Sequence, residues 1–238
     1  VTLQTDEVHC WCWPLDDMHQ ACELGSLLSA EEQHRAARFH ALRDRVAYTV
    51  AHGQLRRIIG DCLQLPPAAL RFERGRHGKP CLVGDHPVRF NLSHATSHAV
   101  LAVASTEVGA DIECIASITD PGAMRDYICS EQERADLQRT PESHAASALA
   151  RLWVRKEAWL KARGVGLLED PSNQHVGGVE WGGQWQPLGG DGAGAVWWGA
   201  DVSAPIGHMA SVVVQGRAQA VPRLITHAGG CSVGLHGP

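Results

Sequence analysis

The chain has 238 residues, 44% of them apolar and 20% charged, with a formal charge of −5. That is enough apolar matter to bury one large domain or two small ones, and too little positive charge for a general nucleic-acid binder. No apolar run reaches transmembrane length and no signal-like N-terminus is evident, so a cytoplasmic protein that engages neither membrane nor nucleic acid is expected.

In chain order, Val8 to Trp13 reads as a short strand ending at Pro14. Ser29 and Glu32 have capping-box spacing and predict a helix through Arg38. A second helix is predicted from about Asp44 to Leu63, with Leu55, Ile58, Ile59 and Leu63 as its apolar stripe and Pro66-Pro67 as its stop. From Leu70 the pattern changes to short strands and turns, including the loop Arg74 to Pro80, a strand around Phe90, and apolar strands at 98–105 and 108–113. Ser130 and Glu133 repeat the capping-box spacing. Residues 143–163 predict a long helix closed by Gly164 and Gly166, and His208 to Gln215 predict a final strand. Residues 227–238 read as a flexible Gly-rich tail. Helices followed by strands thus occur twice, an α+β pattern of two similar lobes divided as 1–106 and 107–226.

The eight cysteines are scattered without CxxC pairs, which fits a reducing compartment. The 21 basic residues are 18 Arg and only Lys79, Lys156 and Lys161. Residues 31–90 carry 11 basic and 6 acidic side chains, net +5, which leaves −10 for the rest. Such a segment suits an anionic ligand or an acidic partner.

Three constellations carry chemistry. On the long helix, Leu149, Leu152, Trp153 and Leu160 form an apolar stripe with Lys156 and Glu157 inside it, and uncompensated charges there must face a cleft or a partner. Glu157 and Lys161 also have the spacing of an ordinary surface ion pair. At the end of a predicted strand, Asp111 and Glu113 share one face while Ile112 points to the core. Two carboxylates so placed suit Mg²⁺ completed by water and phosphate, or else a solvated strand end. Finally, Asn91, Ser93 and His94 leave a strand as donors suited to phosphate oxygens, or as an ordinary polar turn. The loop with Arg74, Arg76 and Lys79 adds three cations around one turn.

Taken together, G-K-P at 78–80, F-N-L-S-H at 90–94, G-A-D-I-E at 109–113 and W-V-R-K-E-A-W-L-K at 153–161 resemble the Sfp-type 4′-phosphopantetheinyl transferases over roughly residues 29–214. The resemblance implies Mg²⁺-dependent transfer of 4′-phosphopantetheine from coenzyme A to a serine of an apo acyl or peptidyl carrier protein, releasing adenosine 3′,5′-bisphosphate. It implies two α+β lobes in one monomeric chain, related by pseudo-twofold symmetry, with coenzyme A between them. It also assigns Asp111, Glu113 and Glu157 to the metal and Lys161 to the transferring phosphate. Arg43, Arg74, Arg76, Lys79, Asn91, Ser93, His94 and Lys156 are then coenzyme A contacts, with Lys79 near the 3′-phosphate. Glu157 is the expected base, acting directly or through a water. The lysines familiar in the family before Arg35 are absent, which leaves Arg35, Arg38 or Arg43 for the 3′-phosphate. Ile115 to Tyr127, with Ile118, Met124 and Arg125, is the expected carrier-docking segment or, equally, part of the second lobe's core. A different phosphoryl or nucleotidyl transferase and a non-catalytic coenzyme A binder remain as other readings of the same residues.

Overall fold

The structure is a computed structural model that describes residues 3–166, 169–178, 184–188, 196–216 and 221–227. Strand β1 (Glu7–Pro14) is buried along nearly its whole length, because both of its faces are covered. Trp11 and Trp13 pack into one core with the helices, while Val8 and Cys10 pack into a second core against the other sheet. Helix α1 (Met18–Leu24) was not anticipated. It has seven residues, buries only Leu24 and starts at Asp17, whose side chain accepts from the Gln20 amide. An element that short has no stripe to read.

Helix α2 (Ala30–Ala37) begins with the expected capping box, Ser29 accepting from the Glu32 amide and Glu32 accepting from the Ser29 amide. Helix α3 (Leu42–Leu63) starts two residues before the predicted position, since Ala41 makes no side-chain cap that a sequence could announce. It ends at Gln64, which has φ 55°, just ahead of Pro66. Leu55, Ile58 and Ile59 enter the first core. The hairpin β2 (Phe72–Arg74) and β3 (Pro80–Leu82) follows, then β4 (Arg89–His94) and β5 (His98–Ala104).

The second half opens with β6 (Val108–Cys114), followed by α4 (Pro121–Ile128), α5 (Glu131–Arg139) and α6 (Glu142–Arg163). Short β7 (Gln186–Leu188), β8 (Val196–Val202), β9 (His208–Gly216) and β10 (Arg223–His227) complete it. The Ser130–Glu133 capping box is present at α5, and Gly164 with φ 65° closes α6. One four-stranded sheet runs β10-β1-β5-β4 and the other β6-β9-β8-β7. They face each other across a core that includes Cys10, Val100 and Ala102 on one side and Ala200, Ala210 and Val212 on the other.

The chain is α+β, as its pattern predicts. One boundary changes. The last described strand, β10, returns to the first sheet and pairs parallel with β1, Glu7 opposite Arg223 and Trp11 opposite His227. Residues 223–226 therefore build the first sheet rather than the second lobe, and His227 belongs to a strand rather than to a tail. Residues 228–238 lie outside the described residues. Neighbour choice in a sheet is decided by tertiary packing, and a five-residue strand carries no mark of its partner.

Candidate active site

The two sheets bring strands β4 and β6 side by side, and a side chain links them: Asn91 Oδ1 accepts from the Ala110 amide at 2.9 Å. Helix α6 lies directly on β6. A Cβ built on Gly109 would fall 2.1 Å from the Ala158 carbonyl oxygen and 2.3 Å from the Ala162 nitrogen, so only glycine permits this approach. Close contact between β6 and the C-terminal turns of α6 places Asp111 and Lys161 together. Lys161 Nζ donates to Asp111 Oδ1 at 2.5 Å and to Ser93 Oγ at 3.1 Å, and Ser93 Oγ donates to Asp111 Oδ1 at 2.7 Å. Three elements, β4, β6 and α6, thus meet on one oxygen.

Two further carboxylates surround this point. Glu157 Oε2 lies 3.7 Å from Lys161 Nζ, and Glu113 Oε1 accepts from Trp153 Nε1 at 3.2 Å. Burial raises the affinity of Asp111, Glu113 and Glu157 for protons above the ordinary carboxylate range. The repulsion of Asp111 reinforces this in Glu113 and Glu157, while Lys161 offsets it in all three. One positive charge does not neutralise three carboxylates, of which Asp111 is buried and Glu113 and Glu157 partly so. Asp111 Oδ2 and Glu157 Oε1 are buried without a hydrogen-bond partner. Buried carboxylate oxygens without partners are costly, and a hard cation with oxygen ligands answers that cost. Among the described residues no group of three or more side chains is already gathered in metal-binding geometry. The donor set nevertheless fits a divalent cation held by Asp111, Glu113 and Glu157.

Next to this cluster a cavity of about 520 Å³ is lined by Arg43, Asp44, Tyr48, His52, His94 and Thr96, among others. Its size is that of a small-molecule site. Tyr48 and His52 stack at 4.1 Å between centroids, and Arg35 lies 5.6 Å above the Tyr48 ring. Arg43 donates to the Thr96 carbonyl at 3.1 Å. Crowding around the His94 ring lowers its pKa, with repulsion from His52 and Lys161 adding to the effect. Tyr48 and His52 were missed in the sequence. Their signal was present, since Asp44, Tyr48 and His52 recur every four residues on one helix face.

Several predicted residues lie elsewhere. Lys156 is fully buried, paired with Glu133 at 2.7 Å and donating to the Pro171 and Gln174 carbonyls at 2.8 and 2.5 Å. Its three donors are thus spent on Glu133 and these two carbonyls, which leaves none for coenzyme A or for Glu157. Asn91 spends its side-chain oxygen on the β4–β6 link. The Lys79 ammonium is held by Glu107 and two carbonyls rather than open to a phosphate. Arg74 is exposed on the hairpin, and the side chain of Arg76 lies outside the described residues. In the segment expected to dock a carrier, Ile118 and Met124 pack against the second-lobe core. Tyr127 remains 52% exposed.

An α+β scaffold that gathers three carboxylates and a lysine beside an open cavity lined in part by Arg43, His52 and His94 defines an enzyme of group transfer. The family model described as the 4′-phosphopantetheinyl transferase superfamily matches residues 107–205, and one described as 4′-phosphopantetheinyl transferase, N-terminal, matches residues 13–106. The 4′-phosphopantetheinyl transferase HetI of Nostoc sp. (strain PCC 7120) is 34% identical over 172 residues, 70% of this chain and 73% of that protein. The 4′-phosphopantetheinyl transferase psf-1 of Bacillus pumilus is 34% identical over 157 residues, 65% of this chain and 66% of that protein. The 4′-phosphopantetheinyl transferase Sfp of Bacillus subtilis (strain 168) is 29% identical over 142 residues, 60% of this chain and 62% of that protein. The chain belongs to the 4′-phosphopantetheinyl transferase family. No helix among the described residues is long and apolar enough to cross a membrane.

Proposed function

We propose that this enzyme transfers 4′-phosphopantetheine from coenzyme A to a serine of an apo acyl or peptidyl carrier protein, with Mg²⁺, and releases adenosine 3′,5′-bisphosphate. The observation that carries the reading is the convergence of Ser93, Asp111, Glu113, Glu157 and Lys161 on one point beside the cavity, with two buried carboxylate oxygens unpartnered. Asp111, Glu113 and Glu157 would hold the Mg²⁺, which when bound neutralises charge on the pyrophosphate.

Arg43, His52 and His94 line the cavity that would receive the anionic donor. The carrier serine hydroxyl attacks the phosphorus that bears the pantetheine arm. The new Ser O–P bond forms as the P–O bond to adenosine 3′,5′-bisphosphate breaks. Glu157 is suited to take the serine proton, because it stands at the cluster beside Lys161 and its Oε1 has no hydrogen-bond partner. The Lys161 ammonium is suited to stabilise charge on the departing phosphate once it leaves Asp111. Ser93 orients Lys161 and Asp111 by bonding each of them. The pseudo-twofold relation of the lobes, a monomeric state, a cytoplasmic location and service to nonribosomal peptide or polyketide synthesis belong to the same proposal.

Incubation with coenzyme A, Mg²⁺ and a panel of apo carriers, read by intact mass, tests it. A phosphopantetheine adduct on at least one carrier is expected. Absence of an adduct on every member of a diverse panel overturns the proposal.

A further inference from the structure

Lysine is scarce in this chain, and Lys79 sits at the junction of the two lobes rather than in the site. Its ammonium donates to Glu107 Oε2 at 2.8 Å, to the Val108 carbonyl at 3.1 Å and to the Ala162 carbonyl at 3.1 Å. An ammonium has three N–H groups, and here each has one acceptor. The acceptors come from the segment that connects the lobes and from the last turn of α6, while Lys79 itself comes from the β2–β3 loop. Arg89 adds a second bond to Glu107 at 3.2 Å. The aliphatic stem of Lys79 passes 3.6 Å from where a Cβ on Gly164 would lie, at the closing residue of α6. A side chain tied in this way positions the helix end that carries Lys161.

We propose that Lys79 is a positioning residue: it latches the loop between β2 and β3 onto the C-terminal turn of α6 and so holds Lys161 and Glu157 in register with Ser93 of the first lobe. The inference rests on the transferase reading for its kinetic effect but not for its structural effect. The ends of helices expose carbonyls that need donors, and cations there interact favourably with the helix dipole. Ala162 O is such a carbonyl, so the bond fixes the turn that contains Lys161. Lysine is required over arginine because three acceptors surround one nitrogen, a geometry that the planar guanidinium does not match.

The latch and a direct contact with the donor phosphate predict different kinetics. If Lys79 is a latch, Lys79→Met lowers kcat by about tenfold with the KM for coenzyme A changed less than about twofold, since orientation is lost and donor binding is kept. Glu107→Gln, which touches neither donor nor metal, gives a smaller loss of kcat in the same sense. The double variant loses less than the two single losses combined, because Lys79 and Glu107 share an interaction while Glu107 also pairs with Arg89. Lys79→Arg restores only part of the rate. Hydrogen exchange in both single variants should show faster exchange of amides in the last turn of α6. That readout is independent of turnover and stands even if no carrier is ever modified, so failure of the transferase reading and failure of the latch are distinguishable. A raised KM for coenzyme A in Lys79→Met with kcat intact, an inert Glu107→Gln, or unchanged exchange at the end of α6 overturns the latch. If Lys79→Met fails to fold, Glu107→Gln decides by the same exchange measurement.

Discussion

The long helices α3 and α6 are built alike and used differently. Each has 22 residues and ends in a left-handed residue, Gln64 or Gly164. Each is preceded by a short helix with a capping box, and each carries at its fifteenth position a buried cation paired with the glutamate of that box. Arg56 bonds Glu32 at 2.6 Å and Lys156 bonds Glu133 at 2.7 Å. Each cation then donates to two carbonyls of the segment packed over it, Pro67 and Leu70 for Arg56, Pro171 and Gln174 for Lys156. The buried cation is therefore part of a scaffold that occurs in both halves. The residue after it differs. Arg57 donates to Gln54 within the same helix, whereas Glu157 faces the carboxylate cluster. The comparison explains why Lys156, inside the motif that announces the site, takes no part in it.

The sharpest break between the helices is expected at Lys161. Lys161→Ala should lower the transfer rate by about a hundredfold or more while circular dichroism stays near wild type, and the melting temperature should fall because the buried Asp111 loses its cation. A normal rate would reassign the leaving-phosphate role.

The scaffold pairs should answer in stability instead. Lys156→Met leaves the buried Glu133 without its lysine and is expected to cost about 3–5 kcal/mol in urea unfolding. Arg56→Met should cost less, because the Glu32 side chain is 14% exposed and that of Glu133 is 0%. The reverse order would show that the two cations do different work.

Acid should also find the first pair. Burial alone would raise the Glu32 pKa, but hydrogen bonds from His52, Arg56 and the Ser29 amide hold it down at about 2. Its folded-state value is depressed, so the stability it contributes is present above the unfolded value near 4.5 and is lost as pH falls toward about 2. The contribution is at most about 3 kcal/mol, and Glu32→Gln should flatten acid unfolding in that window.

In the site cluster the sign is opposite. Asp111, Glu113 and Glu157 have raised values, so their ionised forms oppose folding at neutral pH until a cation binds. Mg²⁺ should raise the melting temperature more at pH 8 than near pH 5, where protons compete for the ligands, and Asp111→Asn should weaken the shift. The smallest effect is expected from Trp153→Phe, which removes the donor to Glu113. A few-fold higher Mg²⁺ requirement with a normal maximal rate checks it.

Much of this was legible in the chain. Both capping boxes, both long helices and the shared face of Asp111 and Glu113 follow from local periodicity and capping chemistry, which act within a few residues. The pairing of Asp111 with Glu157 and Lys161 entered through the family resemblance, because no local rule brings together residues that are tens of positions apart. The parallel return of β10 to β1 and the short helix α1 were not legible, since neither has a strong periodic stripe, whereas α4 carries a readable start in the Asp120 cap followed by Pro121.

Lysine shows where the line falls. Composition by itself marks Lys79, Lys156 and Lys161 as exceptional in a chain that otherwise uses arginine, and so predicts sites where a compact three-donor cation matters. It does not say which acceptors each one meets. Tertiary structure sends Lys156 into a scaffold pair, Lys79 to Glu107 and the end of α6, and Lys161 to the carboxylates. A side chain's role depends on the groups within a few ångströms of its charged end, and those groups are brought there by packing from distant parts of the chain.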